Sequence, residues 1–228
     1  MVYENRHDRK RKEEDKMEEI SSQRKLEALE ENGTFIRKDG KTFLQLDCEN
    51  AKELSMKWGE KLYPFTRTGK KWILELPFST AVNYVQICVD GQEVLSPELP
   101  IAHGYGRPYN YIELPDEDGL FELRDVPHGT LTQEFYKSKI SDNWEKLIIY
   151  LPPCVPSAGL PVLYLQHGFG ESEISWSTTG KVNILMDNLI AAGKIKPFAI
   201  VMGNGMVKQR VDGELKLNRA LYGQMLVE

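Results

Sequence analysis

Short stretches of alternating apolar and polar residues run from Thr42 to about residue 114. Alternation with a period of two predicts β-strands that each bury one face. The faces expected to point inward are Thr42, Leu44 and Leu46, then Leu54, Met56 and Trp58, then Trp72, Leu74 and Leu76, and a further strand is expected at 109–114. Turn residues separate these stretches, which is typical of antiparallel sheets.

The strongest local signal is the dipeptide Asp90-Gly91, between apolar stretches at 85–89 and 92–95. Both residues tolerate the positive φ angles of a tight turn, so the dipeptide predicts a β-hairpin. Several short strands without helical periodicity favour two packed antiparallel sheets. We therefore expect residues 34–116 to form an immunoglobulin-like β-sandwich.

The order of elements changes after a polar linker at about 115–119. Strands are predicted at 121–126, 130–136, 144–151, 162–166 and 198–202, and a helix over 182–190 followed by Gly193. The 162–166 stretch is apolar on both faces, which is typical of a central strand covered on both sides. Strand, helix and strand in this order predict a βαβ unit, which binds ligands beyond the carboxyl ends of its strands. Residues 117–228 are therefore expected to form an α/β domain.

Charge is concentrated in residues 1–33, where both signs alternate and apolar residues are too sparse for a continuous helical stripe. A solvated leader is expected there, and a docking arm is the alternative. The net charge of −5 over 228 residues argues against nucleic acid as a partner.

No apolar stretch approaches the length that crosses a membrane, and the N-terminus lacks the apolar core of a secretory signal. We therefore expect a cytoplasmic protein that does not bind membranes. Cys48, Cys88 and Cys154 have no spacing typical of metal ligands or of a disulfide framework. Neither a metal nor another cofactor is expected.

Four aromatic residues in the β-rich part, Trp58, Trp72, Tyr105 and Tyr109, could stack on sugar rings. Large aromatic residues of a small domain are more often buried, so a role in the core is favoured. The segment around Tyr105 contains two nearby glycines but no strand-to-helix context for binding phosphate, and it is expected to be a loop.

Several segments carry a family resemblance. The sequence YLQHGFGESEISW from Tyr164, followed by NILMDNLIAAGKIKPFAIVMGNG from Asn183, resembles an esterase family of α/β-hydrolases that includes feruloyl, acetyl-xylan and enterochelin esterase-like enzymes. The preceding segment from Val126 is similar to the opening strands of that family. Residues 42–114 resemble the early-set immunoglobulin-like domain that often precedes it. The resemblance implies an α/β-hydrolase sheet and a carboxylic ester substrate.

The resemblance also implies site residues. The backbone N–H groups of Phe169 and Gly170 are expected to help form an oxyanion hole. His167 and Gly168 are expected to be structural residues of that turn, with His167 an anchor rather than the general base. Trp176 is expected to line the substrate pocket, and packing over the turn is the alternative.

The catalytic triad of such enzymes is not identifiable in the sequence. The nucleophile motif G-x-S-x-G is absent, and the nearest string, at 155–159, has proline in place of its first glycine. No histidine follows His167. Residues 218–228 resemble the family helix that leads toward the nucleophile strand. We therefore expect a truncated N-terminal part of a serine esterase, inactive by itself.

Two other hypotheses remain open from the sequence. One is a non-catalytic carbohydrate-binding or interaction module that uses the β-rich domain. The other is that a second chain completes the site. In each esterase hypothesis the substrate is an ester, with carbohydrate-linked esters as one class. An apolar, unpaired edge strand at 198–202 is expected to promote self-association.

Overall fold

The computed structural model describes residues 33–115, 118–155 and 159–218, together with 220, 221 and 224. Of these, 33–100 and 110–115 form one compact unit, and 101–109 with the residues from 118 onward form a second. Most of the predicted leader, the central residues of the 155–159 string and most of the predicted final helix lie outside the described residues. In the described part of the chain, no helix is both long and apolar enough to cross a bilayer.

Unit 1 consists of β-strands. Its strands are β1 (Phe35–Lys38), β2 (Lys41–Asp47), β3 (Leu54–Trp58), β4 (Lys61–Pro64), β5 (Thr66–Thr68), β6 (Lys71–Glu75), β7 (Ala81–Val89) and β8 (Gln92–Val94). Two further strands, β9 (Ile101–Gly104) and β10 (Arg107–Leu114), follow, and β10 runs from unit 2 into unit 1. One sheet has the order β1-β2-β6-β5, and the other contains β4-β3-β7-β10 with β8 beside β7.

The alternation read from the sequence matches the buried faces of these strands. Leu44 and Leu46 of β2 and Met56 of β3 are buried, while their neighbours in sequence are more exposed. Residues of both sheets, including Trp72 of β6 and Ile87 of β7, belong to one hydrophobic core. Burial of this shared apolar face holds unit 1 together.

The predicted hairpin is confirmed: Val89 of β7 pairs with Gln92 of β8. The turn residues Asp90 and Gly91 have φ angles of 49° and 80°. The backbone N–H groups of residues 53 and 52 donate to the Asp90 carboxylate at 2.9 and 2.8 Å, and these bonds lower the pKa of Asp90. Asp90 therefore forms part of the β7–β8 turn and also binds the loop that precedes β3.

The elements with described bounds in unit 2 include a mixed sheet and two helices. Its elements after the β9–β10 turn are β11 (Thr130–Lys137), β12 (Trp144–Leu151), β13 (Val162–Tyr164), α1 (Ser175–Thr178), α2 (Val182–Ala191), β14 (Ala199–Gly203), β15 (Lys208–Val211) and β16 (Glu214–Leu217). The main sheet has the order β11-β12-β14-β13. β13 and β14 are parallel and the other neighbours are antiparallel, so the predicted βαβ unit is confirmed.

The prediction of a strand at 121–126 is wrong. The backbone carbonyls of Leu120 and Glu122 accept hydrogen bonds from the Asn188 side chain at 2.8 and 2.9 Å, and the carbonyl of Phe121 accepts one from Lys181. Side chains of the helical region therefore satisfy the carbonyls of residues 120–122, which a strand partner would otherwise have to do.

Two expectations about the main sheet are also wrong. β13 is not a covered central strand, because it lies at one end of the sheet and all three of its residues are exposed. The 198–202 stretch is not an unpaired edge, because β14 lies between β12 and β13 and is mostly buried. An apolar stretch reveals that a strand forms without revealing its neighbours.

Helix α2 is fixed to the sheet by one buried carboxylate. Asp187 accepts hydrogen bonds from the Tyr150 hydroxyl at 2.6 Å and the Gly129 N–H at 2.9 Å, and its second oxygen lies 3.0 Å from His128 Nδ1. Burial and the bond to Asp187 raise the pKa of Tyr150 above its ordinary value. Tyr150 and α2 residues such as Met186 share the core of this unit.

Candidate active site

The candidate site begins where β13 ends. Because β13 and β14 are parallel, their carboxyl ends meet at the same edge of the sheet, where ligands bind in open α/β sheets. The segment 166–171 follows β13, and the loop with Asn204 and Gly205 follows β14. The site is therefore built from two adjacent loops.

His167 connects these loops. Its Nδ1 lies 2.7 Å from the Gly168 carbonyl, and its Nε2 lies 3.2 Å from the Gly205 nitrogen. Because Gly205 N–H can only donate, Nε2 accepts and the proton resides on Nδ1, which donates to Gly168. The side chain is buried, and both ring nitrogens have backbone partners.

The turn after His167 is closed by a reciprocal pair of bonds. The Glu171 N–H donates to the Gly168 carbonyl at 3.2 Å, and the Gly168 N–H donates to the Glu171 carboxylate at 3.0 Å. Phe169 lies within this turn with its side chain exposed. The backbone at 168–171 is thereby held in one conformation.

Gly170 cannot be replaced without moving the backbone. Its φ angle is 79°, and a Cβ atom there would lie 2.4 Å from the Gly106 nitrogen and from the Tyr105 Cα. The Gly106 N–H donates to the Gly170 carbonyl at 2.7 Å. Glycine is required both for the left-handed conformation and for this close approach.

Glu173 is a site residue that the sequence analysis missed. Its carboxylate is 3% exposed and lies 2.8 Å from the Lys146 ammonium of β12. Its other oxygen accepts a hydrogen bond from the Asn204 amide at 3.1 Å. An acidic residue in a polar segment gives no sign of burial in the sequence, because its cationic partner lies on a distant strand.

Trp176 lies on α1 and contacts the segment that follows β13. Its indole N–H donates to the Gln166 carbonyl at 2.8 Å, and 37% of the residue is exposed. The neighbouring hydroxyls bond to the backbone: Ser175 Oγ accepts from the residue 172 N–H, and Ser177 Oγ donates to the residue 174 carbonyl.

Among the described residues, no group of three or more His, Cys, Asp or Glu side chains could hold a metal ion.

The expected burial of the four aromatic residues is only partly found. Trp72 is buried, and Trp58 is half-buried with its ring 4.9 Å from that of Phe78. Tyr105, by contrast, is 73% exposed. The segment around it is a hairpin rather than a loop, because β9 and β10 flank the turn Tyr105-Gly106, where both φ angles are positive.

Comparison with known proteins gives the following findings. Residues 138–219 match a family model described as "Putative esterase". An endo-1,4-beta-xylanase/feruloyl esterase of Xylanibacter ruminicola is 36% identical over 163 residues, which are 68% of this chain and 22% of that protein. The chain thus spans about a fifth of that relative.

Solved structures of enterobactin esterases share the fold. The enterobactin esterase FES of Shigella flexneri has a TM-score of 0.55 at 11% identity, over 80% of this chain and 58% of that one. The ferric enterobactin esterase of Salmonella typhimurium has a TM-score of 0.52 at 8% identity, over 83% and 57% of the two chains. Residues 138–219, which contain the turn at His167, are thus similar in sequence to the esterase family.

Proposed function

We propose that this chain supplies the oxyanion side of a carboxylic ester hydrolase site, with the backbone N–H groups of Phe169 and Gly170 as donors. The observation that carries the proposal is the closed glycine turn at the carboxyl end of β13. Donors held in place before the reaction stabilise the developing negative charge of a tetrahedral intermediate without reorganisation.

His167 and Gly168 would serve this turn as structural residues. A general base needs a nitrogen that faces the proton it removes. Both ring nitrogens of His167 are instead engaged with the backbone of residues 168 and 205, inside the protein. These contacts support the anchoring role.

The substrate we propose is an ester linked to carbohydrate. Support comes from the Xylanibacter ruminicola relative, which combines a xylanase and a feruloyl esterase in its description. Trp176 is proposed to line the substrate pocket: its N–H is fixed to the Gln166 carbonyl, while more than a third of the residue is accessible to a ligand.

We further propose that these 228 residues do not hydrolyse esters by themselves. Acyl transfer of this kind uses a serine nucleophile with a histidine and an acidic residue. The sequence contains no G-x-S-x-G motif and no histidine after His167. Without a triad, binding and the oxyanion hole supply only weak catalysis.

For residues 34–116 we propose an immunoglobulin-like domain, preceded by a charged leader at 1–33 and followed by the hydrolase part from 117. Two antiparallel sheets around one core support this assignment. We also propose that the exposed strand β13 promotes self-association, because it is the last of the described strands at one end of its sheet, where an edge strand can pair with a strand of a second chain.

The test compares hydrolysis of methyl ferulate and p-nitrophenyl acetate by the 228-residue chain and by a complete product, meaning a chain in which this sequence is followed by a segment that carries a triad. We expect hydrolysis only by a product that includes a triad. In that product, Phe169→Pro removes one N–H donor and should lower kcat by about 10²–10³-fold, whereas Phe169→Leu keeps the donor and the activity. An inactive complete product, or an unchanged kcat in Phe169→Pro, would overturn the proposal.

A further inference from the structure

The tip of the β9–β10 hairpin and the start of β10 carry a group of side chains that the proposed chemistry does not use; Tyr105 and Arg107 are exposed and Tyr109 is half-buried. The Tyr105 and Tyr109 rings lie edge to face with their centroids 6.0 Å apart. The Arg107 guanidinium lies 4.5 Å from the centroid of the Tyr109 ring, and its Nε donates to the Tyr109 hydroxyl at 2.8 Å. We call Tyr105, Arg107 and Tyr109 the hairpin platform.

The hairpin platform lies beside the candidate oxyanion turn, and both belong to unit 2. The residue after Tyr105 donates its N–H to the Gly170 carbonyl, so the hairpin turn and the glycine turn are in direct backbone contact. Strand β9 also packs against α1, the helix that bears Trp176. A molecule bound to Tyr105 would therefore lie next to the turn at which the ester is proposed to react.

Tyr105 is an unusual residue for its position. Its φ angle is 52°, in a turn where glycine, asparagine or aspartate fits without strain. A large side chain in the left-handed region is a conformational outlier. Tyr105 also gains little from burial, because 73% of it is exposed. Neither the local backbone nor the core explains an aromatic ring here.

We propose that the hairpin platform is a subsite for the sugar portion of the ester substrate. The apolar C–H face of a sugar ring can pack on the exposed Tyr105 ring, and the Arg107 donors can reach its hydroxyl groups. An aromatic acyl group is better served by an enclosed apolar pocket than by an open surface with a cation at its rim. The assignment of this sugar to an ester substrate rests on the proposed function.

The experiment measures binding alone, by isothermal titration of the 228-residue chain with unesterified xylotetraose, cellotetraose and ferulic acid. We expect at least one oligosaccharide to bind, and Tyr105→Ala to weaken that binding by about tenfold. Tyr105→Phe keeps the ring and should bind nearly as the unaltered chain does. The matched control is Tyr164→Ala, because Tyr164 of β13 is 74% exposed in the same unit.

Three results would overturn the subsite. The first is no binding of either oligosaccharide, whether or not ferulic acid binds. The others are equal binding by Tyr105→Ala and the unaltered chain, and equal losses in Tyr105→Ala and Tyr164→Ala. Since the probes contain no ester and no bond is cleaved, failure of the proposed hydrolysis leaves this measurement interpretable. Conversely, an active esterase whose Tyr105→Ala variant binds sugar normally would retain the proposed function and lose the subsite.

Discussion

The Glu173 carboxylate lies 2.8 Å from the Lys146 ammonium, and Glu173 is almost fully buried while nearly half of the Lys146 side chain is exposed. The pair joins the loop after β13 to β12, and Asn204 adds a bond from the loop after β14. A buried carboxylate is stable when its charge and its lone pairs have partners. Three strands of the sheet thereby position the segment that follows the glycine turn.

Lys146→Met should destabilise unit 2, because it removes the ammonium group that balances the charge of the buried Glu173 carboxylate. The hydrogen bond from Asn204 would remain. We expect a loss of about 1–3 kcal/mol in the free energy of unfolding, below the range for a fully buried pair because Lys146 is partly solvated. Lys137→Met is the control and should change little, since its partner Asp142 is 93% exposed. Urea titrations monitor both.

The double variant Lys146→Met with Glu173→Gln tests the same pair differently. Removing both charges relieves the unpaired carboxylate, so the double variant should lose less stability than the two single variants added together. Additive losses would contradict a direct interaction between these side chains.

Gly170→Ala should destabilise the protein more than Gly193→Ala does. Both glycines have positive φ angles, but a Cβ at Gly193 meets no atom within 4 Å, whereas one at Gly170 meets backbone at 2.4 Å. We expect Gly193→Ala to cost about 1 kcal/mol for conformation alone, and Gly170→Ala more than about 2 kcal/mol. Similar midpoints of chemical unfolding for the two variants would argue against the close approach to Tyr105.

Tyr150→Phe should lower the free energy of unfolding by about 1–3 kcal/mol at pH 8, because Asp187 loses the hydroxyl that donates to it. The side chain keeps its apolar contacts, so the loss reports on the hydrogen bond. Thermal or urea unfolding of the two proteins measures it, and equal stability would exclude a structural role for this bond.

The same variant should alter the dependence of stability on alkaline pH. The pKa of Tyr150 is raised in the folded state by burial and by its bond to Asp187. Its stabilising contribution is therefore complete below about pH 10, where the unfolded phenol ionises, and is lost as pH rises further. Between pH 10 and 11 the unaltered chain should lose about 1 kcal/mol more than Tyr150→Phe, because the unfolded phenol goes from half ionised to mostly ionised while the folded phenol stays protonated. Parallel pH profiles would contradict the raised pKa.

Leu163→Lys should reduce self-association if β13 is the edge at which chains meet. A lysine on an edge strand opposes pairing with a second strand. Ile174→Lys, at a similarly exposed apolar residue in a loop, is the matched control. Sedimentation velocity of the three proteins measures their self-association. If the unaltered chain is monomeric, the proposal that β13 promotes self-association is wrong.

Local signals were sufficient to predict much of the fold. The alternation around Leu44 and Met56, the dipeptide Asp90-Gly91 and the helix before Gly193 each depend on residues close together in sequence. A period of two or 3.6 residues, or a residue that tolerates positive φ, determines such elements with little outside help.

The features that were not predicted depend on distant partners. The segment expected to be a strand at 121–126 instead begins beside Asn188, a distant residue whose side chain donates to the carbonyls of Leu120 and Glu122. The burial of Glu173 depends on Lys146, and the tip of the β9–β10 hairpin contacts Gly170, which lies in a distant segment of the sequence. Sequence patterns identify the elements, and only the fold reveals these pairings.

The parallel pairing of β13 with β14 also fixes an order of assembly. β11 and β12 are successive antiparallel strands paired along their whole length, so they can associate as soon as both have been synthesised. In the described part of the chain β13 pairs with β14. Because α2 lies between these two strands in the sequence, β14 is synthesised only after α2, and β13 cannot pair with it before then. During translation the histidine of the turn therefore emerges well before the Gly205 N–H that holds it, and the turn is among the last parts of the sheet edge to become ordered.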